Sequence, residues 1–365
     1  MEGARRFLDI KTGNEKINMK RIKHFDVVRV ICFILIIYYH MIAQLPLNGI
    51  CSHEVIYPLV ANANMQIGTF AVAVFFMISG ASLMYTTKDK LELGTFYLKR
   101  YIRLLIPFYV VTFMYYIVNV IRVRDFAGVY VGGIPVWRWI FTIFGMDEWV
   151  SMHGIVTFSR GIGEWFLGAL VILSLVFPLL RYLMLKNTKA FMAAVILLYL
   201  VYIHHYNSGV LIYMNLFVKG FDFVLGMWYG LYWDKISPKI RVLAIPVFLF
   251  FLLYPTELIM NEALRIMIPA ATFLFSFSLL ENVLQKCKLT VVNWLSKFSY
   301  ELFLVHHVVI YQVTPYQPDF MDEAIDFIKM FGKEILIIFV TAVVAKILSD
   351  IIIKGIWNRI ERSSK

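Results

Sequence analysis

Ten apolar runs mark the chain, most of them long enough for a helix to cross the hydrocarbon core of a bilayer. They fall near 26–46, 66–86, 101–121, 164–183, 190–206, 211–232, 241–254, 263–282, 298–315 and 333–354. This pattern predicts an all-α, polytopic membrane protein with about ten transmembrane helices. The seventh run is short and is followed at once by Pro255, so nine crossings or a re-entrant segment is the alternative there. No internal repeat, low-complexity tract or linker marks a second domain.

Charge orients these spans, because Lys and Arg concentrate in cytoplasmic connections. Arg5, Arg6, Lys11, Lys16, Lys20, Arg21 and Lys23 precede the first run, whereas 47–65 holds no Lys or Arg. Lys88, Lys90, Lys99, Arg100 and Arg103 then fall inside, and 204–209, again without Lys or Arg, falls outside. The alternation continues with Lys235, Lys239 and Arg241 inside, Glu257 and Glu262 outside, and Lys286, Lys288 and Lys297 inside. Asp319, Asp322, Glu323 and Asp326 lie outside, and Lys354, Arg359, Arg362 and Lys365 return inside. Both termini are predicted cytoplasmic. The exception is 122–163, a long extracytoplasmic loop carrying Arg122, Arg124, Arg138 and Arg160; long loops translocate largely regardless of charge. Its Gly132, Gly133, Pro135, Trp137, Trp139, Trp149 and His153 predict either a folded external lid or a belt of interfacial rings. Residues 1–24 read as a basic cytoplasmic lead-in, 25–355 as the transmembrane domain and 356–365 as a cytoplasmic tail.

Composition agrees: of 365 residues, 60% are hydrophobic and only 16% charged, against about 25% in soluble domains. A net charge of +11 raises the question of nucleic acid, but the basic residues sit in short connections, so no nucleic-acid partner is expected. The partner implied is the lipid bilayer. Cys32, Cys51 and Cys287 are too few and too scattered for a disulfide framework or a zinc site and read as small packing residues. The first run is too long for a signal-peptide core and lacks a small-residue cleavage site.

Polar residues at membrane depth carry the chemistry. Asp26, Arg29 and His40 lie on the first span, and eleven positions separate Arg29 from His40. On an α-helix that is about 16 Å along the axis and within roughly 20° of one face. Arg29 lies toward the cytoplasmic side and His40 toward the outer side. Ser79 and Gly80, in VFFMISG, fall near the inner leaflet, where Arg100 and Arg103 project from one face of the third span. The arginines read either as snorkelling anchors or as an anion clamp with planar, bidentate forks. Arg29 has a local alternative in Asp26 at i,i+3. His40 reads either as a neutral imidazole bonded within the bundle or as a general base with a pKa near working pH. Glu164 opens the fourth span, where a carboxylate complements the helix dipole. Lys219 and Asp222, at i,i+3 in the sixth span, read as a structural ion pair.

KRIKHFDVVRVICFILIIYYHM resembles the opening helix of the membrane-bound acyltransferase 3 family, with its Arg-x10-His and an Asp three before the Arg. VFFMISG is similar to the family's Phe-Phe-x-x-Ser-Gly, Arg100 to Arg103 to its Arg-x-x-Arg followed by a Pro, here Pro107, and Glu164-Trp165-Phe166-Leu167 to its Trp-Phe/Tyr-Leu segment. Ser299-Tyr300-Glu301-Leu302-Phe303-Leu304-Val305-His306 is similar to its late Ser-Tyr…Leu-x-His. The resemblance spans roughly residues 20 to 355. It implies transfer of a short acyl group, acetyl or succinyl, from cytosolic acyl-CoA to a hydroxyl of an extracytoplasmic glycan or small-molecule acceptor. It further implies acyl-CoA, acetyl-CoA first, as the donor, with no metal. By the same resemblance Arg29, Arg100, Arg103 and Ser79 are the donor-binding residues and His40 is the catalytic base. His306 would orient His40 or contact the thioester, and Glu164 would meet the acceptor. Where many relatives read His-Trp-Pro, this chain reads His306-His307-Val308, which leaves the partner histidine open; His307, turned about 100° from His306, is expected in packing. The expected location is a bacterial plasma membrane. A glycan transporter or flippase is the rival reading, for which no matched pair of Gly/Pro-interrupted spans is evident, and a partner-binding membrane module is a third.

Overall fold

The computed structural model describes residues 21–62, 65–123, 134–158, 161–254, 261–314 and 324–363. The lead-in through Lys20, Arg124, Gly132, Gly133, Arg160, Pro255, Glu257, Asp319, Asp322, Glu323 and Lys365 lie outside the described residues. The chain is almost wholly helical. The first half holds α1 (Lys23–Leu47), α2 (His53–Val60), α3 (Ile67–Thr87), α4 (Leu93–Val123), α5 (Trp139–Ile143), α6 (Asp147–Ser151) and α7 (Glu164–Lys186). The second half holds α8 (Thr188–His204), α9 (Leu216–Tyr232), α10 (Pro238–Leu253), α11 (Glu262–Phe277), α12 (Glu281–Lys286), α13 (Thr290–Val313) and α14 (Ala324–Ser363). The only described strands are the two-residue pair Ala61–Asn62 and Met65–Gln66.

A helix lies on each of the ten apolar runs, and among the described residues six segments are long and apolar enough to cross a membrane by themselves. These six are α1, α3, most of α4, α7, the α11 to α12 segment and the bulk of α14. Boundaries differ from the sequence reading where a polar cap intervenes. The sixth run starts as a 3-10 turn over Ile212–Met214, and α9 begins only after Asn215, whose side-chain oxygen accepts from the backbone N–H groups of Phe217 and Val218.

Helix α3 is the central post. It meets α9 at backbone distance: a Cβ added at Gly226 would sit 1.9 Å from the Met77 carbonyl oxygen, and one at Gly80 would sit 2.0 Å from that of Phe223. Small residues let membrane helices approach this closely, and dispersion contacts then replace the hydrophobic drive that lipid cannot supply. Gly80 of VFFMISG is therefore a packing residue. Helix α1 is pinned at its start. Nζ of Lys23 donates to the carbonyls of Leu284, Gln285 and Cys287 at the end of α12, and Nδ1 of His24 lies 2.8 Å from Oε2 of Glu281. Lys219 and Asp222 form the expected pair at 2.8 Å, each side chain 1% exposed. Of the cysteines, Cys32 is buried and Cys51 intermediate, but Cys287 is exposed and so packs little.

The described part of 122–163 is folded rather than a bare belt of rings. Trp139 stacks on Phe158 at 4.5 Å, while Trp137 stays 63% exposed. Oγ1 of Thr142 donates to Oδ1 of Asp147 at 3.0 Å, and Oγ1 of Thr157 donates to the Asp147 carbonyl. Burial pushes the Asp147 carboxyl up from 3.8 to about 6, against the lowering pull of these hydrogen bonds. The native segment thus holds that proton more tightly than the unfolded chain does. Its contribution is complete below pH 3.8 and is lost as pH rises through 6. Asp147→Asn, which mimics the protonated form, is expected to raise thermal stability above pH 6 and to change little near pH 4. Melting curves of both proteins across that range check it.

Candidate functional site

Four side chains from three helices meet at one end of the bundle. Helix α1 supplies His40, α13 supplies His306 and His307, and the first residue of α7 supplies Glu164. The approach to Glu164 is unusual: Gly163 has φ 74° and Glu164 itself φ 45°, the only non-glycine with positive φ among the described residues. A side-chain residue in the left-handed region costs of order 1–3 kcal/mol and persists where its surroundings fix it. Here it turns the carboxylate inward. Oε1 of Glu164 lies 3.3 Å from Nε2 of His306 and 3.5 Å from Nε2 of His40.

Hydrogen-bond directions restrict the protonation of this cluster. Nδ1 of His306 lies 2.6 Å from the Phe303 carbonyl oxygen, which can only accept, so that nitrogen carries a proton and Nε2 is left to face the carboxylate. An ionised carboxylate also only accepts, so only a facing nitrogen that carries a proton can pair with it. The His40 ring centroid lies 5.1 Å from that of His306 and 4.8 Å from that of His307. His306 is fully buried, whereas the side chains of Glu164 and His40 are 14% and 21% exposed. One ligand atom from each of His40, His306 and Glu164 lies within 4.8 Å of the other two, a His-His-carboxylate donor set that could also hold a metal ion.

A cavity of about 220 Å³ opens on this cluster, lined by His40, Glu164, His307, Gln44, Trp165 and Tyr213 among others. His307, expected in packing, is thus on the cavity wall, because His40 projects between successive residues of α13. A second cavity, of about 380 Å³, lies toward the other end of α3 and is lined by Thr86, Thr87, Lys90, Lys99, Arg100 and Arg103. On α3 the two linings are eleven residues apart, Val72 to Leu83, about 16 Å at the helical rise. Arg100 also donates from Nε to Oγ of Ser174 at 2.9 Å. Arg29 and Ser79 line neither cavity. Arg29 takes its local alternative, pairing with Asp26 at 3.0 Å and reaching Oγ of Ser82, rather than Ser79, at 3.4 Å.

A family model described as an acyltransferase domain matches residues 22–354, nearly the whole chain. The chain belongs to the acyltransferase 3 family. Comparisons with curated proteins and with solved structures find no match. Membership makes this multi-pass helical protein a membrane acyltransferase, and the acyltransferase therefore has one cavity bearing a candidate base and another bearing cations. Three residues near these cavities escape the motif reading. His307 is hidden by its angle on the helix, Ser82 by lying one turn past the motif serine, and Gln44 by having no motif at all. Gln44 does have a local signal: it stands at i+4 from His40 and so shares its face.

Proposed function

We propose that this acyltransferase 3 protein moves a short acyl group, acetyl first, from cytosolic acyl-CoA to a hydroxyl of an extracytoplasmic glycan or related acceptor. In this reading ten helices cross the plasma membrane of a bacterium and both termini are cytoplasmic. The observation that carries it is the pair of cavities: guanidinium and ammonium groups line one, and His40 with Glu164 lines the other about 16 Å along α3. Phosphates of CoA suit the first, since Arg forks bind them with two parallel hydrogen bonds.

At the second, Nε2–H of His40 directed at Glu164 leaves Nδ1 as the lone-pair nitrogen, the division of labour of a carboxylate-oriented imidazole base. Nδ1 takes the proton of the acceptor hydroxyl as that oxygen attacks the thioester carbonyl. The C–S bond breaks, the new C–O ester bond forms, and the CoA thiolate leaves with the proton returned by the imidazolium. Glu164 stabilises the transient positive charge on His40. No metal is needed in these steps.

Purified protein is expected to consume acetyl-CoA and to release free thiol. Arg100→Ala and Arg103→Ala are each expected to weaken acyl-CoA binding by roughly 10- to 100-fold, as expected for lost charge-assisted hydrogen bonds. Unchanged affinity in both variants would return the pair to a membrane-anchoring role.

A further inference from the structure

We infer that Gln44 reads a second hydroxyl on the acceptor, so that the outer cavity selects polyhydroxylated substrates over simple alcohols. The inference rests on the reading of that cavity as the acceptor site. Gln44 follows His40 by four residues on α1, about 6 Å along the axis, and lines the same cavity although only 4% exposed.

Its amide is oriented by a chain of hydrogen bonds that ends on a backbone atom. The carbonyl of Thr314 can only accept, so the amide nitrogen of Asn48, 3.3 Å away, must donate to it. That turns the Asn48 oxygen toward Gln44, whose Nε2 donates to it at 2.7 Å. The Thr314 side chain is itself tied down, its Oγ1 lying 2.9 Å from the Ile310 carbonyl oxygen and 2.6 Å from Oε1 of the fully buried Glu334. Each amide orientation follows from the last, so Gln44 uses its nitrogen inward and keeps Oε1 as an acceptor with no hydrogen bond among the described residues. A fixed acceptor lining the same cavity as the base is placed to receive an O–H from the molecule whose other O–H is deprotonated. A substrate with a single hydroxyl leaves that oxygen unpaired on binding, the arrangement by which sites reject analogues that lack a hydroxyl. The chemical class implied is a sugar or polyol.

The test compares acetyl transfer from acetyl-CoA to methyl glucoside with transfer to cyclohexylmethanol, a ring of similar shape with only the reacting hydroxyl. Wild type is expected to favour methyl glucoside by about tenfold or more in kcat/KM. Gln44→Leu should reduce that ratio about tenfold through a raised KM for methyl glucoside, with its melting temperature showing that it folds. Asn48→Leu, which frees the Gln44 amide to turn, should reduce the ratio part of the way. Equal use of the two acceptors by wild type, use of neither, or an unaltered ratio in Gln44→Leu overturns the assignment. If acetyl-CoA turnover nevertheless depends on His40, the acyltransfer reading stands and the Gln44 assignment alone falls; turnover identical in wild type and His40→Ala removes that reading as well.

Discussion

Replacement of His40 by alanine is expected to lower acyl transfer by roughly a thousandfold, since a positioned general base contributes about 10²–10⁴ in rate. Three observations converge on this residue. It reaches the outer cavity, it faces the one carboxylate that lies in strained backbone, and its partner oxygen is shared with a fully buried histidine whose tautomer is fixed. Loss of the imidazole removes the proton acceptor, and His306 is unable to replace it because its Nδ1 is committed to Phe303. Acyl-CoA binding should change little, because the cationic cavity lies about 16 Å away along α3. Product formation and CoA binding measured on the same preparation separate the two effects. Equal transfer by wild type and His40→Ala would remove His40 from the chemistry. Chelation with EDTA distinguishes the base from a metal held by the same donors, since activity should survive it if the histidine acts as a base.

The largest expected effect on stability is at Gly226. An added Cβ would meet the carbonyl oxygen and carbon of Met77 at 1.9 and 2.5 Å, so α3 and α9 must move apart along their shared seam. Both opposing groups are backbone, and no rotamer change relieves the clash. Overpacking of this kind typically costs about 1–3 kcal/mol. Gly226→Ala belongs at or above the upper end because Gly80 and Gly230 also bring backbones close on the same seam, at 2.0 and 2.4 Å from an added Cβ. Gly220→Ala is the matched control, since its Cβ would meet only Leu173 Cδ2 at 3.6 Å, an ordinary contact. The yield and melting temperature of detergent-solubilised protein should fall sharply for Gly226→Ala and stay near wild type for Gly220→Ala. A Gly226→Ala protein that melts with wild type would mean that the two helices do not pack as described.

The serine–glycine motif shows how far a sequence pattern reaches. VFFMISG identifies a stretch of α3 near the cationic end, and the resemblance assigns its Ser79 to donor binding. In the structure Gly80 is occupied by the Phe223 backbone, and the hydroxyl that meets Arg29 belongs to Ser82. Arg29 pairs with Asp26, its i,i+3 neighbour, a pairing that helix geometry alone permits. Lys219 and Asp222 were legible for the same reason. Short-range pairs on one helix follow from a fixed rise and twist.

His40, Glu164 and His306 are different, because they are separated by 124 and then 142 positions in the chain. Motif resemblance selected them as candidates, but periodicity said nothing of their meeting. The sequence by itself determined the helical runs, the alternation of basic and non-basic connections, and which residues share a helix face, since these depend on local periodicity and on the cost of charge in lipid. Only the tertiary structure decided that Glu164 stands between two histidines, that His307 joins the cavity wall, and that the Gln44 amide is turned by Thr314 two hydrogen bonds away. Those outcomes depend on which helices lie side by side and how closely glycine lets them approach. Contacts between distant segments are set by packing that no single segment encodes.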